Sequence, residues 1–279
     1  MEYKTIRYEV TDGLAVITLN RPHRNNAWTG RMDTEYHRAM YHADRDERVG
    51  AILLTGEGRN FCVGADSQAL DKQAAAGSYD SGIREPLLRP GDPEHPAYGT
   101  PYGFPLAMAK PVISAINGAA AGIGFVVVCF TDIRLAAEGV KLAPASARLG
   151  LPAEHAVSWI LPRLVGYGRA SEILLSGRVV GADEAHAIGL VHALYPKEQL
   201  LRRAIEYARN LIDNAAPSSL RVTKSQLSHD LFRPLSESAE ESTRMIDEMV
   251  GSEDFKRGVA ALGDRRPPRF AETYRRADS

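Results

Sequence analysis

Lys110–Ala136, KPVISAINGAAAGIGFVVVCFTDIRLA, decides the fold. Its first part, Pro111–Ile116 (PVISAI), is short, continuous and apolar, as expected of a strand covered on both faces. A glycine-rich turn follows, and Gly122–Phe130 reads as a buried helix. The apolar run Ala119–Phe130 falls short of the roughly 20 residues that span a bilayer. A covered strand leading into a buried helix implies a sheet with helices packed on it.

The chain on either side repeats that pattern. IRYEV and LAVITL flank the turn Thr11-Asp12-Gly13 and read as a hairpin. Thr29–Arg45 reads as a helix opened by Thr29 or Asp33, and Gly50–Thr55 (GAILLT) as another covered strand. Strands alternating with helices give an α/β class. Gln73–Pro105, rich in Gly, Pro, Ser and charge, is expected to be a long loop or lid, since loops of that length are usually either functional or disordered and the functional case is favoured beside a ligand site. From Lys197 the chain turns helical and amphipathic. The expected division is a core over residues 1–196 and a helical appendage over residues 197–279.

With 279 residues, 44% hydrophobic and 25% charged, the chain is long enough for one core with an appendage. Its formal net charge of -1 offers no global field for polyanions, which argues against nucleic acid as a partner. Cys62 and Cys129 have neither metal-ligand spacing nor a disulfide pattern, so no metal site is expected and a reducing, cytoplasmic location is. The N-terminus, MEYKTIRYEV, has no apolar run of the kind a secretion signal needs, and no membrane partner is expected.

Four segments, in order and at family spacing, resemble the crotonase (enoyl-CoA hydratase/isomerase) superfamily: LNRPHRNNAW (Leu19–Trp28), GRNFCVGAD (Gly58–Asp66), Lys110–Ala136 itself, and LGLPAEHAVSWILPRLVG (Leu149–Gly166). A weaker match, SEDFKRGVAALGDRRPPRF, extends the likeness to Phe270. The resemblance implies an α/β fold of ββα units wound into a spiral, with C-terminal helices that pack around a trimer or a dimer of trimers. It implies an acyl-CoA substrate, coenzyme A entering as part of that substrate, with no permanently bound cofactor.

By the same resemblance the amides of Ala65 and Ile123 are the two donors to a thioester oxyanion, with Gly64, Gly122 and Gly124 permitting close backbone approach. Many relatives carry glycine where this chain has Ile123. Arg24, Ala27, Cys62, Gly64, Asp66, Gly122 and Arg265 are the accompanying candidates for acyl-CoA contact. Arg265 and Arg266 fall where relatives place a cation near a neighbouring subunit's nucleotide phosphates. Asp66 and Asp132 read as structural partners of backbone amides.

The family pattern breaks at the acids. Hydratases of this family use two glutamates, and here Val126 and Ser146 stand at those positions. A third acid position is filled by Glu154, in PAEHAVSW; single-acid isomerases of the family carry their proton-shuttling carboxylate there, and a family dehalogenase its nucleophilic aspartate. One carboxylate suffices to move a proton between two carbons of a dienolate, given a pKa raised by an apolar pocket. The alternative for Glu154 is a helix-capping or solvated acid. His155 could orient it, act as a second base or titrate near neutrality. The expected reaction is double-bond isomerisation through Glu154. The alternatives are hydration, carbon-carbon or thioester hydrolysis at the same site, or acyl-CoA binding without catalysis.

Overall fold

The computed structural model describes residues 3–83 and 86–275. β1 (Ile6–Thr11) and β2 (Leu14–Leu19) form the hairpin, closed by Asp12 and Gly13 at φ of 50° and 80°, the left-handed pair that matches strand twist. α1 (Gly30–Arg45) is capped by Thr29, whose side chain accepts from the Met32 amide at 3.2 Å. Asp33, the other candidate cap, instead lies buried in the first turn.

β3 (Ala51–Gly56), α2 (Ser67–Ala76), β4 (Val112–Ile116) and β5 (Ala120–Ala121) follow, then α3 (Ile123–Cys129), β6 (Ile133–Ala137) and β7 (Lys141–Ala143). α4 (Val157–Val165), α5 (Tyr167–Ser176), β8 (Val180–Gly181), α6 (Ala182–Ala187) and β9 (Ala193–Tyr195) complete the first part. The main sheet runs β1-β2-β3-β4-β6-β9, parallel after the hairpin, and a small second sheet runs β5-β7-β8. All five residues of β4 are buried, as its unbroken apolar run predicts.

The helical run begins at Lys197, where α7 (Lys197–Asn214) opens. α7 lies across β2, β3, β4, β6 and β9 and buries Leu200, Ala204, Ala208 and Ile212, a face spaced every four residues. α8 (Pro217–His229), α9 (Leu235–Met249) and α10 (Glu253–Gly263) are less covered, and a short α11 (Glu272–Arg275) follows. α9 buries no residue and α10 only Ala261, so their apolar side chains face outward.

The 73–105 segment differs from a free loop. α2 extends into it as far as Ala76, and from Pro90 onward several residues pack inward, among them His95, Ala97, Tyr102 and Phe104. Asp44 on α1 anchors it by accepting from the amides of Gly91 and Ala109. Residues 84 and 85 of the segment lie outside the described residues.

Candidate active site

Two backbone turns meet beside the start of α3. Cys62 and Ala120 form a parallel bridge, tied by the Ala121 amide to the Cys62 carbonyl at 2.9 Å, and the Gly122 amide binds the Ala143 carbonyl at 3.0 Å. Gly64 (φ 99°) and Gly122 (φ 52°, ψ -120°) adopt conformations that favour glycine. A side-chain carbon at Gly122 would stand 3.5 Å from the Gly64 Cα, and one at Gly64 3.1 Å from the Ala121 carbonyl. The backbones therefore touch.

Trp28 brackets Ala65: its amide donates to the Gly64 carbonyl at 2.7 Å, and its carbonyl accepts from the Asp66 amide at 3.0 Å. That pairing turns the Ala65 amide away from Trp28. The Ile123 amide opens α3, where no carbonyl within the helix can accept it. Among the described residues neither amide donates a hydrogen bond. The Ile123 side chain packs on the core, so the bulk that replaces the common glycine is accommodated there.

Val126 is buried on α3, and Ser146 is buried in the turn after β7. The Ser146 hydroxyl donates to Glu154 Oε2 at 2.9 Å, so two of the positions singled out in the sequence are in direct contact. Glu154 is half-buried. It does not cap α4, whose N-cap is Ala156. His155 Nε2 is buried with no hydrogen-bond partner among the described residues. Burial holds the imidazole pKa below its usual value, against the pull of the Glu154 and Asp33 charges.

Tyr102 and Tyr79, which the sequence did not single out, complete the neighbourhood together with Asp33 and Trp28. The Tyr102 ring meets His155 edge to face, 4.8 Å between centroids. Its phenol donates to Asp33 Oδ1 at 2.6 Å, and the Trp28 indole donates to the same oxygen at 2.7 Å. Tyr79, just past α2, lies 6.5 Å from the His155 ring, its pKa raised by partial burial and by the Asp33 and Glu154 charges. The signal available was an aspartate on the apolar face of α1, at a position equally readable as a cap.

The remaining candidates lie as follows. Asp66 caps α2 by accepting from the Gln68 amide and pairs with Arg21 and Arg24, each at 3.2 Å. Arg24 keeps 40% of its side chain exposed. Ala27 is buried, and Cys62 is fully buried beneath Gly124, where its thiol packs under the turn and burial pushes its pKa up to about 12. Asp132 accepts from the Val112 amide and from Lys224, a structural tie. Arg265 is exposed after α10, and Arg266 pairs with Asp264 at 3.1 Å. Two cavities, of about 790 and 700 Å³, lie elsewhere, along α8 and α9. Among the described residues no cluster of metal-binding side chains occurs, and no helix is long and apolar enough to cross a membrane.

A family model described as enoyl-CoA hydratase/isomerase matches residues 9–90 and 104–273. A probable enoyl-CoA hydratase of Rhodobacter capsulatus is 36% identical, over 97% of this chain and 99% of that one. The 1,2-epoxyphenylacetyl-CoA isomerase of Escherichia coli is 30% identical, over 94% of this chain and 96% of the relative. Among solved structures, a probable enoyl-CoA hydratase/isomerase from Mycobacterium abscessus superposes with a TM-score of 0.81 at 32% identity, covering 95% of this chain and 98% of that one.

Proposed function

Because the chain belongs to the enoyl-CoA hydratase/isomerase family, and shares the fold of its solved relatives, we propose that it moves the double bond of an enoyl-CoA thioester. The observation that carries this is that, of the three acid positions of the family, a carboxylate stands at Glu154 alone. Val126 cannot exchange a proton, and the Ser146 hydroxyl is engaged with Glu154. Glu154 then takes a proton from the carbon beside the thioester carbonyl and returns it two carbons further along. Between those steps the charge rests on the thioester oxygen, which receives the Ala65 and Ile123 amides. Fixed backbone donors of this kind are each worth about 100- to 1000-fold in rate.

The E. coli relative bears the name of an acyl-CoA isomerase, of an epoxide rather than an enoyl thioester, and the R. capsulatus relative the name of a hydratase. Arg24 and Arg265 are assigned to the phosphates of coenzyme A, Arg265 from a neighbouring subunit of a trimer built through the C-terminal helices. Cytoplasmic residence belongs to this reading, motivated by the two buried, unpaired cysteines.

The test is incubation with a panel of 3-enoyl-CoA and 2-enoyl-CoA thioesters, following mass and double-bond position for wild type and Glu154→Gln. Migration at constant mass, reduced by about 100-fold or more in the variant, is the expected result. Addition of water that the variant performs equally well overturns it. Binding without turnover identifies an acyl-CoA-binding protein.

A further inference from the structure

Glu154 stands at the head of a strained turn. His155 (φ 51°) and Ala156 (φ 61°) are successive non-glycine residues in the left-handed region, and Ala145, beside Ser146, is a third at φ 63°. Such residues cost roughly 1–2 kcal/mol each, and they persist where surrounding structure fixes them. At Glu154 the fixing group is the His155 ring, held edge to face on Tyr102. Tyr102 is itself held, 5% exposed, with its phenol on Asp33.

Asp33 is 3% exposed, and the nearest basic nitrogen among the described residues, His37 Nδ1, lies 3.5 Å from its carboxylate and 2.9 Å from the Asp33 backbone carbonyl. A buried carboxylate so sparsely compensated is costly for stability alone. Its Oδ1 takes two hydrogen bonds that run to opposite halves of the site. One comes from Tyr102 and leads through His155 to Glu154. The other comes from the indole of Trp28, whose backbone brackets Ala65.

We propose that Asp33, Tyr102 and His155 form a positioning strut that fixes the Glu154 carboxylate relative to the Ala65 amide. This rests on the reading of Glu154 as the acid-base group. A base displaced by about 1 Å loses on the order of 100-fold in rate while substrate binding, made elsewhere along coenzyme A, is retained. The strut's signature is therefore a fall in kcat with KM preserved.

Tyr102→Phe keeps the ring and removes the bond to Asp33; His155→Asn tolerates the left-handed backbone and removes the ring. Both are expected to lower kcat by about 10- to 100-fold on a 3-enoyl-CoA thioester, with KM within about twofold. Asp33→Asn retains an oxygen able to accept both bonds and is expected to keep kcat within about fivefold, a rescue that Asp33→Leu does not provide. Crystal structures are expected to keep the Ser146 hydroxyl on Glu154 in wild type and to show the two side chains apart in Tyr102→Phe, a readout independent of turnover. If Tyr102→Phe and His155→Asn keep full kcat while Glu154→Gln does not, or if kcat falls only in step with thermal stability, the strut is wrong. If Glu154→Gln itself turns over normally, the acid-base reading fails first and the strut falls with it.

Discussion

A hydroxyl and a carboxylate separated by eight residues carry much of the candidate site. Ser146 donates to Glu154 across the turn before α4, so Ser146→Ala frees the carboxylate to rotate. A neutral donor on a charged acceptor is worth about 1.5–3 kcal/mol, and kcat is expected to fall by roughly 10-fold with unchanged KM in steady-state assays. Asp66 gives a prediction of opposite kind, in stability. Burial raises its pKa, but the Gln68 amide and the Arg21 and Arg24 guanidinium groups outweigh that and hold the carboxyl below the ordinary aspartate value. Its folded pKa is thus lower than its unfolded one. The stabilisation is complete above the unfolded value and is lost as pH falls through the folded one. Asp66→Asn is expected to lower the melting temperature at pH 7 by the equivalent of about 1–3 kcal/mol, and the gap to wild type to close as the scan moves below about pH 4. Residues of this kind were partly legible. Glu154, Ala65 and Ile123 stand in motifs, whereas Asp33 and Tyr102 act through a contact 69 positions apart that no local pattern records.

Among the elements, α3 shows how little room the site leaves. A side-chain carbon at Gly124 would stand 2.4 Å from the Cys62 carbonyl and 2.8 Å from the Cys62 Cβ, both fixed parts of the neighbouring turn. Gly124→Ala therefore drives α3 away from the Gly64 turn. Overpacking of this sort costs about 1–3 kcal/mol, and the separated amides are expected to cost at least about 10-fold in turnover. Gly168, in the first turn of α5, has nothing within 4 Å of its added carbon. Gly168→Ala is expected to raise the melting temperature slightly and leave turnover unchanged, so the pair measured together separates backbone crowding from loss of glycine as such. The hairpin, α1, β3, β4 and α3 were readable because period, turn chemistry and continuous apolar runs agree there. α2 was not, since its ten residues bury no side chain and carry no apolar stripe. β5, β7 and β8 are two or three residues long, too short for any period, and exist through their pairing.

For the whole molecule, the balance of covered and uncovered apolar surface shifts along the chain. The sheet and α7 enclose a continuous core, while α8 to α10 leave Leu227, Ile246, Val250, Phe255, Val259 and Leu262 exposed. Most of these surround the cavity of about 700 Å³ between α8, α9 and α10. An apolar surface of that extent on a solvated protein marks an interaction face. The proposed trimer supplies its cover, and a closed ring of identical copies needs each subunit to present a second, complementary face to the next. Sequence established the amphipathic character of these helices, but not which stripe meets the core and which is left over, because that depends on where the chain turns after α7. Ile246→Asp places a charge in the centre of the groove, where burial without a partner costs several kcal/mol, with each 1.4 kcal/mol worth about tenfold in association. Sedimentation is expected to give wild type a mass three or six times that of the chain and Ile246→Asp the mass of one chain, with secondary structure retained. A wild-type protein sedimenting as a monomer would refute the trimer, and would also remove Arg265 from the phosphate site, since in that reading the residue reaches coenzyme A only from the neighbouring subunit.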